Sequence, residues 1–418
     1  MQLMGRRLLR FRLNELRPLV SVTEGCMQEA DNQNRTLLSP RRNGRPMRLG
    51  GGPPGYLEKG LAAVAEPFRG VTVDGTVAPG LFPLAETGVT TAPIRQAAEN
   101  FLAALTPEQR AKTLFPIESV EWRKWSNIHR TIMRHGMPIF EMNDNQLERA
   151  FGLLQESLSA RGWITARDIM RLNETVMEMT GKVDEYGEDL YWLSIMGTPS
   201  DQEPWGWQID GHHLIINYFV LRGQVVMTPA FLGSEPVRAE SGKYAGTRVF
   251  QAEEEQGLAI IRALSETQRR SAVLSRELPR ELFTTAFRDN FEMRYEGIRT
   301  DGLSPEQHEL FLRLVDTHVG RMRPGHARVK IEEVKKHFGQ TYFAWMGGTD
   351  ADSVFYYRIH SPVLLIEFDH QRGVAFPAHE QPYKDHIHIV VRTPNGNDYG
   401  KDLLRQHYEH APHHATRG

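Results

Sequence analysis

Four histidines carry the chemistry this sequence offers. His386 and His388 stand two apart in Lys384-Asp385-His386-Ile387-His388-Ile389-Val390-Val391-Arg392, where polar and β-branched residues alternate. Such alternation reads as a half-buried strand, and side chains two apart on a strand share a face. Two imidazoles held side by side on a rigid element make half of a metal site. His212 and His213 lie in a second strand-like run, Trp207 to Ile216. Strand neighbours face opposite ways, so only one of the two can join a given site. Glu367 follows Val363-Leu364-Leu365-Ile366, and a carboxylate in an apolar strand is costly unless paired or bound to a metal. A hairpin across the loop between Asp369 and Asp385 would bring Glu367 to the histidine pair. The expected ligands are therefore His212 or His213, His386, His388 and Glu367, with positions left open for water, dioxygen or substrate.

The lone cysteine, Cys26, leaves only nitrogen and oxygen donors. These fit a divalent transition metal, zinc or iron first, with manganese and copper as further choices. Asp210 could orient an imidazole by accepting its second N–H. Arg358 and Arg392 could grip a substrate carboxylate bidentately. Glu367, as ligand or as the base that activates bound water, completes the catalytic candidates. Trp205, Trp207, Gln208 and His360 are the candidates for substrate contact. The expected function is a metal-dependent enzyme acting on a small organic molecule, hydrolytic or oxygen-dependent. Each element also has a plainer reading. A His-X-His strand is more often a hydrogen-bonded pair than a metal site, and Glu367 could simply pair with Arg358 or Arg392. A metal-free catalyst using histidine as acid or base, and a ligand-binding protein, stay open. His407, His410, His413 and His414 crowd the end of the chain, where solvated histidines are the first expectation.

The elements that must position these residues follow from periodicity. Residues 1–55 carry ten arginines against four acidic residues and end in Gly50-Gly51-Gly52-Pro53-Pro54-Gly55. They read as a disordered basic tail and linker, ahead of a single α+β domain over 56–418. From 56 to 185 the pattern is helical, with Leu147, Phe151, Leu154 and Leu158 on one face and Gly181 as a C-cap. Thr106-Pro107-Glu108-Gln109, Ser265-Glu266-Thr267-Gln268 and Ser304-Pro305-Glu306-Gln307 are capping boxes. Their unequal spacing argues against a repeat. From 189 to 232 the period is two, with long strands Trp207 to Leu221 and Gln224 to Leu232 joined at Arg222-Gly223. Helices return from 252 to 338, and strands from 341 to 392. The expected fold is α+β: an antiparallel sheet assembled from two β blocks, about 189–232 and 341–392, covered by helices.

The negatives narrow the field. There is no glycine-rich phosphate loop, no zincin motif and no serine-hydrolase elbow. A formal net charge of −2 gives no push toward nucleic acid or anionic membrane, so neither is expected as a partner. No apolar run approaches the roughly 20 residues that cross a bilayer, and no signal-type apolar stretch follows the N-terminal arginines. A cytoplasmic location is expected, with a small-molecule substrate; a homo-oligomer is compatible with the sequence.

Several stretches resemble a known family: Phe68-Arg69-Gly70-Val71, Gly88-Val89-Thr90-Thr91-Ala92-Pro93, Gly197-Thr198-Pro199, Glu203-Pro204-Trp205-Gly206-Trp207-Gln208 through Gly211-His212-His213-Leu214, Tyr356-Tyr357-Arg358-Ile359-His360-Ser361-Pro362, Ile366-Glu367-Phe368, and His386-Ile387-His388 through Arg392 to Tyr399-Gly400. They are similar to domain-of-unknown-function family 3500, which has bacterial and fungal members. The resemblance runs from about 65 to 412. It brings no activity with it, but it makes the histidine segments part of the family pattern and leaves the basic tail outside it.

Overall fold

The computed structural model describes residues 41–42, 45–46, 54–128 and 133–410. The basic tail, His413 and His414 lie outside the described residues, apart from one antiparallel strand pair, β1 (Arg41–Arg42) and β2 (Arg45–Pro46). That pair belongs to a unit of residues 1–47; everything below concerns the second unit, residues 48–418. Its fold is mixed α/β, with ten helices among the described residues and a large, mostly antiparallel open sheet. No helix among the described residues is long and apolar enough to cross a membrane.

After α1 (Tyr56–Ala65), the order of elements runs twice. The first run is α2 (Ala92–Ala104), α3 (Pro107–Thr113), β3 (Leu114–Phe115), β4 (Met137–Pro138), α4 (Asp144–Ser157), α5 (Ala160–Thr180), then β5 (Tyr191–Met196), β6 (Trp205–Gly211), β7 (Leu214–Leu221), β8 (Gln224–Val226) and β9 (Ala230–Ser234). The second is α6 (Gln251–Ala263), α7 (Glu266–Ala272), β10 (Val273–Ser275), β11 (Ile298–Arg299), α8 (Pro305–Val319), α9 (Pro324–Lys336), then β12 (Tyr342–Gly347), β13 (Phe355–His360), β14 (Leu365–His370) and β15 (Ile387–Arg392), followed by α10 (Lys401–His410). The sheet runs β10-β12-β13-β14-β15-β9-β7-β6-β5-β3, so β9 and β15 meet at its centre and the two runs mirror each other about that contact. The outermost strands agree in detail: β3 lies parallel to β5, and β10 parallel to β12.

This duplication corrects the expectation of no repeat. The three expected capping boxes are present, but a fourth, Asn143 with Gln146, opens α4. With it the boxes form two pairs, and in each pair the glutamines exchange amide hydrogen bonds: Gln146 Nε2 to Gln109 Oε1 at 2.7 Å, and Gln307 Nε2 to Gln268 Oε1 at 3.0 Å. The β6–β7 and β13–β14 hairpins also match residue for residue. Asp210 pairs with Ile215 as His360 pairs with Leu365. Gly211-His212-His213-Leu214 therefore corresponds to Ser361-Pro362-Val363-Leu364.

A second correction follows. Trp207 to Leu221 is not one strand, because the chain reverses at His212-His213; Gln224 to Leu232 likewise splits into β8 and β9. The tight turn at Arg222-Gly223 is as expected, with Leu221 paired to Gln224.

The two faces of the sheet differ. One buries Trp207, Ile209, Leu214, Leu232, Tyr357, Ile366, Phe368 and Ile389 against helix residues such as Ile94, Leu153, Ile169, Phe311 and Val334. The other carries His388, Glu367, Asp369, Arg358, Arg392, Gln208 and Asp210, interleaved with a smaller apolar cluster around Trp122, Trp125, Phe231, Tyr356 and Val390. Both excursions that cover this polar face, between β3 and β4 and between β10 and β11, are largely non-helical.

Candidate metal centre

Alternation along β15 points Ile387 and Ile389 into the helix-covered core and leaves His386 and His388 on the polar face. The neighbouring strand β9 brings Gly233 opposite His388. A methyl group at Gly233 would sit 2.9 Å from His388 Cδ2 and 3.1 Å from His213 Cδ2, so only glycine lets both rings reach the same point. His213 arrives from the β6–β7 turn with a left-handed backbone, φ 60°, a conformation that disfavours a side chain and is held here by its surroundings. His388 Nε2 lies 3.0 Å from His386 Nε2 and 3.1 Å from His213 Nε2. All three residues are buried, and their ligand nitrogens fall within 4.8 Å of one another.

The protons cannot satisfy this arrangement. His386 Nδ1 lies 2.7 Å from the carbonyl oxygen of Arg372. A carbonyl only accepts, so Nδ1 carries the proton and Nε2 turns a lone pair toward the cluster. His388 Nε2 can then donate to His386 or meet His213, but one N–H does not serve both linearly. Burial pushes the His388 pKa well below its ordinary value, reinforced by His386 and His213, and burial lowers that of His386 as well. Neutral imidazoles with converging Nε2 atoms are the donor set a transition metal takes, and three nitrogens around a tetrahedral ion at about 2.0–2.1 Å stand roughly 3.3 Å apart.

Supporting contacts fix the rings. Glu235 Oε2 lies 3.6 Å from His386 Nδ1. The same carboxylate gathers the backbone N–H groups of Val374, Ala375 and Phe376 and the hydroxyl of Tyr383, which pins the loop carrying Arg372. His212 is not in the cluster. Its Nδ1 meets Asn173 Oδ1 at 2.8 Å on α5, and its ring stacks on His213 with centroids 3.8 Å apart. The turn, rather than strand alternation, separates their roles: His213 joins and His212 backs it.

Glu367 is not in the cluster either. The β14–β15 hairpin forms, but its register sets Asp369, not Glu367, opposite His388. Glu367 lies two residues away, roughly 7 Å along the strand. Its oxygens accept from the N–H groups of Phe283 and Thr284, the Thr284 hydroxyl and the Tyr356 hydroxyl, so it clamps the β10–β11 excursion to the sheet. Asp369 is the acid that sequence reasoning passed over. Its Oδ1 is buried with no hydrogen-bond partner among the described residues. Burial, with Glu367 nearby, raises its pKa well above the usual carboxylate range. The signal for it was the shared strand face of Glu367 and Asp369; only the register could choose between them.

The other candidates are placed as follows. Asp210 pairs with Arg134 and not with an imidazole, and burial raises its pKa to about 6. Arg392 is fully buried and holds Asp289 and Asp398 at 3.0 and 2.9 Å, which makes it a structural cation. Arg358 pairs with Glu296 at 2.7 Å. Gln208 donates to the Trp122 carbonyl and to Asn217. Trp205 and Trp207 are core residues whose indoles donate to the Ser200 carbonyl and Ser157 hydroxyl. His360 is buried against Tyr295. Of the chain-end histidines, His407 is buried and meets Glu203 at 3.2 Å.

No curated protein and no solved structure matches this chain. One family model does, described as a protein of unknown function (DUF3500), and it spans residues 87–401 with all three clustered histidines inside it. Since that span is most of the chain, the protein belongs to the DUF3500 family.

Proposed function

We propose that His213, His386 and His388 bind a divalent transition metal, zinc or iron first, and that the protein is a metal-dependent enzyme acting on a small organic molecule. The observation that carries this reading is the convergence of three buried Nε2 atoms with too few protons to bridge them. The duplicated scaffold supports it. The turn equivalent to Gly211-His212-His213-Leu214 closes with Pro362-Val363 instead. The fold therefore builds the same hairpin without histidine, so the imidazole of His213 answers a need other than closing the turn. Three nitrogen ligands leave a fourth position for water or substrate, as hydrolytic zinc sites and oxygen-binding iron sites both require.

When bound, the metal would supply Lewis-acid or dioxygen chemistry. This chain's own residues hold and orient it. The Arg372 carbonyl and Glu235 set the tautomer of His386, His212 backs His213, and Asp369 presents its carboxyl on the same sheet face as His388. Elemental analysis of untagged protein tests the reading. One transition-metal ion per chain is expected in the native protein and a large loss in His386→Ala/His388→Ala. Native protein that holds no transition metal and takes up none on titration would sink it.

A further inference from the structure

A second site lies on the opposite face of the sheet, at the other end of β9 and β15. There Ala230, Leu232, Leu364 and Val391 floor a cavity of about 280 Å³ beneath α9. Its walls are apolar, with Phe82, Met322 and Leu403 among them, but α9 lays a polar stripe along one side: His326, Lys330, Glu333 and Lys336. These residues recur at helical spacing and so share a face. Among the lining residues the formal cations are Arg321, Lys330 and Lys336, joined by three histidines, against the single acid Glu333. Arg321 is answered by Glu253 and Lys330 by Glu333. His326 is only 2 % exposed, and its Nε2 has no hydrogen-bond partner among the described residues. A buried polar atom without a partner costs about 1–3 kcal/mol unless something supplies one.

We propose that this cavity binds a small amphipathic carboxylate, its hydrocarbon on the Leu232–Leu364–Val391 floor and its carboxylate accepting from His326 Nε2, with Lys330 one turn further along α9. The apolar floor selects the tail, and the excess of cationic and N–H donors selects an anionic head over a neutral or cationic one. The volume is near the lower end for ligand cavities, which favours a short chain or a single ring. The site shares no residue with the histidine cluster, so it stands whether or not the metal reading does.

Calorimetric titration of the full chain with octanoate, octanol and octyltrimethylammonium tests it. Octanoate is expected to bind saturably, and more tightly than the other two by tenfold or more, a difference of about 1.4 kcal/mol. His326→Ala should weaken octanoate by a similar factor. Val329→Trp, placed at the half-exposed rim, should block it, and metal content should not change in either variant. No saturable octanoate binding, equal binding of octanol, or binding untouched by both substitutions would each overturn the assignment. The comparison of the three ligands needs only the native chain, so a poorly folding variant does not weaken the test.

Discussion

At the scale of the residue, the centre depends on atoms that have no spare room. Gly233→Ala places a methyl group at 2.9 Å from the His388 ring and should separate His388 from His213. Metal affinity is expected to fall by at least tenfold while the circular-dichroism spectrum holds; unchanged affinity would mean that the rings need not converge. Arg392→Gln leaves Asp398 buried without its cation, while Asp289 keeps Arg123 at 2.8 Å, and the cost should be about 3–5 kcal/mol, read by urea unfolding, with metal content retained in the folded fraction. Loss of metal without loss of stability would return Arg392 to the functional site. His360 gives the pH dependence. Burial, followed by Arg358, lowers its folded pKa to about 3, against an unfolded value near 6.5. Below pH 6.5 the unfolded chain takes a proton that the folded chain refuses, so stability falls as pH falls, by about 1.4 kcal/mol per unit. Between pH 6.5 and 5 the native protein should lose about 2 kcal/mol more than His360→Phe does; parallel pH profiles would contradict this.

At the scale of the element, local chemistry was legible where it repeats a short-range rule. Three of the four capping boxes, the Gly181 cap and the Arg222-Gly223 turn were read from the sequence because each is decided within four residues. Arg222 sits at φ 53°, where Asn is tolerated better than Arg, so Arg222→Asn should stabilise by several tenths of a kcal/mol to about 1 kcal/mol in chemical denaturation. The reversal at His212-His213 was not legible. Its residues carry none of the Asn-Gly or Gly-X chemistry of short hairpins, and the apolar run continues on both sides. Only pairing with β5 and β9 breaks it. The choice between Glu367 and Asp369 was hidden for a related reason. Both lie on one strand face, and the register that selects Asp369 is set by cross-strand packing along the whole hairpin.

At the scale of the whole molecule, a bound ion should act as a staple between the two halves of the sheet, since His213 comes from the first run of elements and His386 and His388 from the second. Ligand linkage gives about 2.7 kcal/mol at a hundredfold excess over Kd. Chelation should therefore lower Tm by several degrees, and His386→Ala/His388→Ala should abolish the response to chelator. A chelator-insensitive Tm in the metal-loaded native protein would show that the ion does not join the halves. By itself the sequence determined the coarse class of fold, three of the four capping boxes, the tight turn at 222–223 and the histidine pairs at 212–213 and 386–388, because each is written in neighbouring residues or in a period of two or four. The tertiary structure alone decided which acid faces the histidines, which of the paired histidines joins them, and that the chain is built twice. The choice of histidine rests on a contact between residues 175 positions apart, His213 with His388, and the choice of acid on the β14–β15 register, and no local pattern encodes the register that brings such residues together.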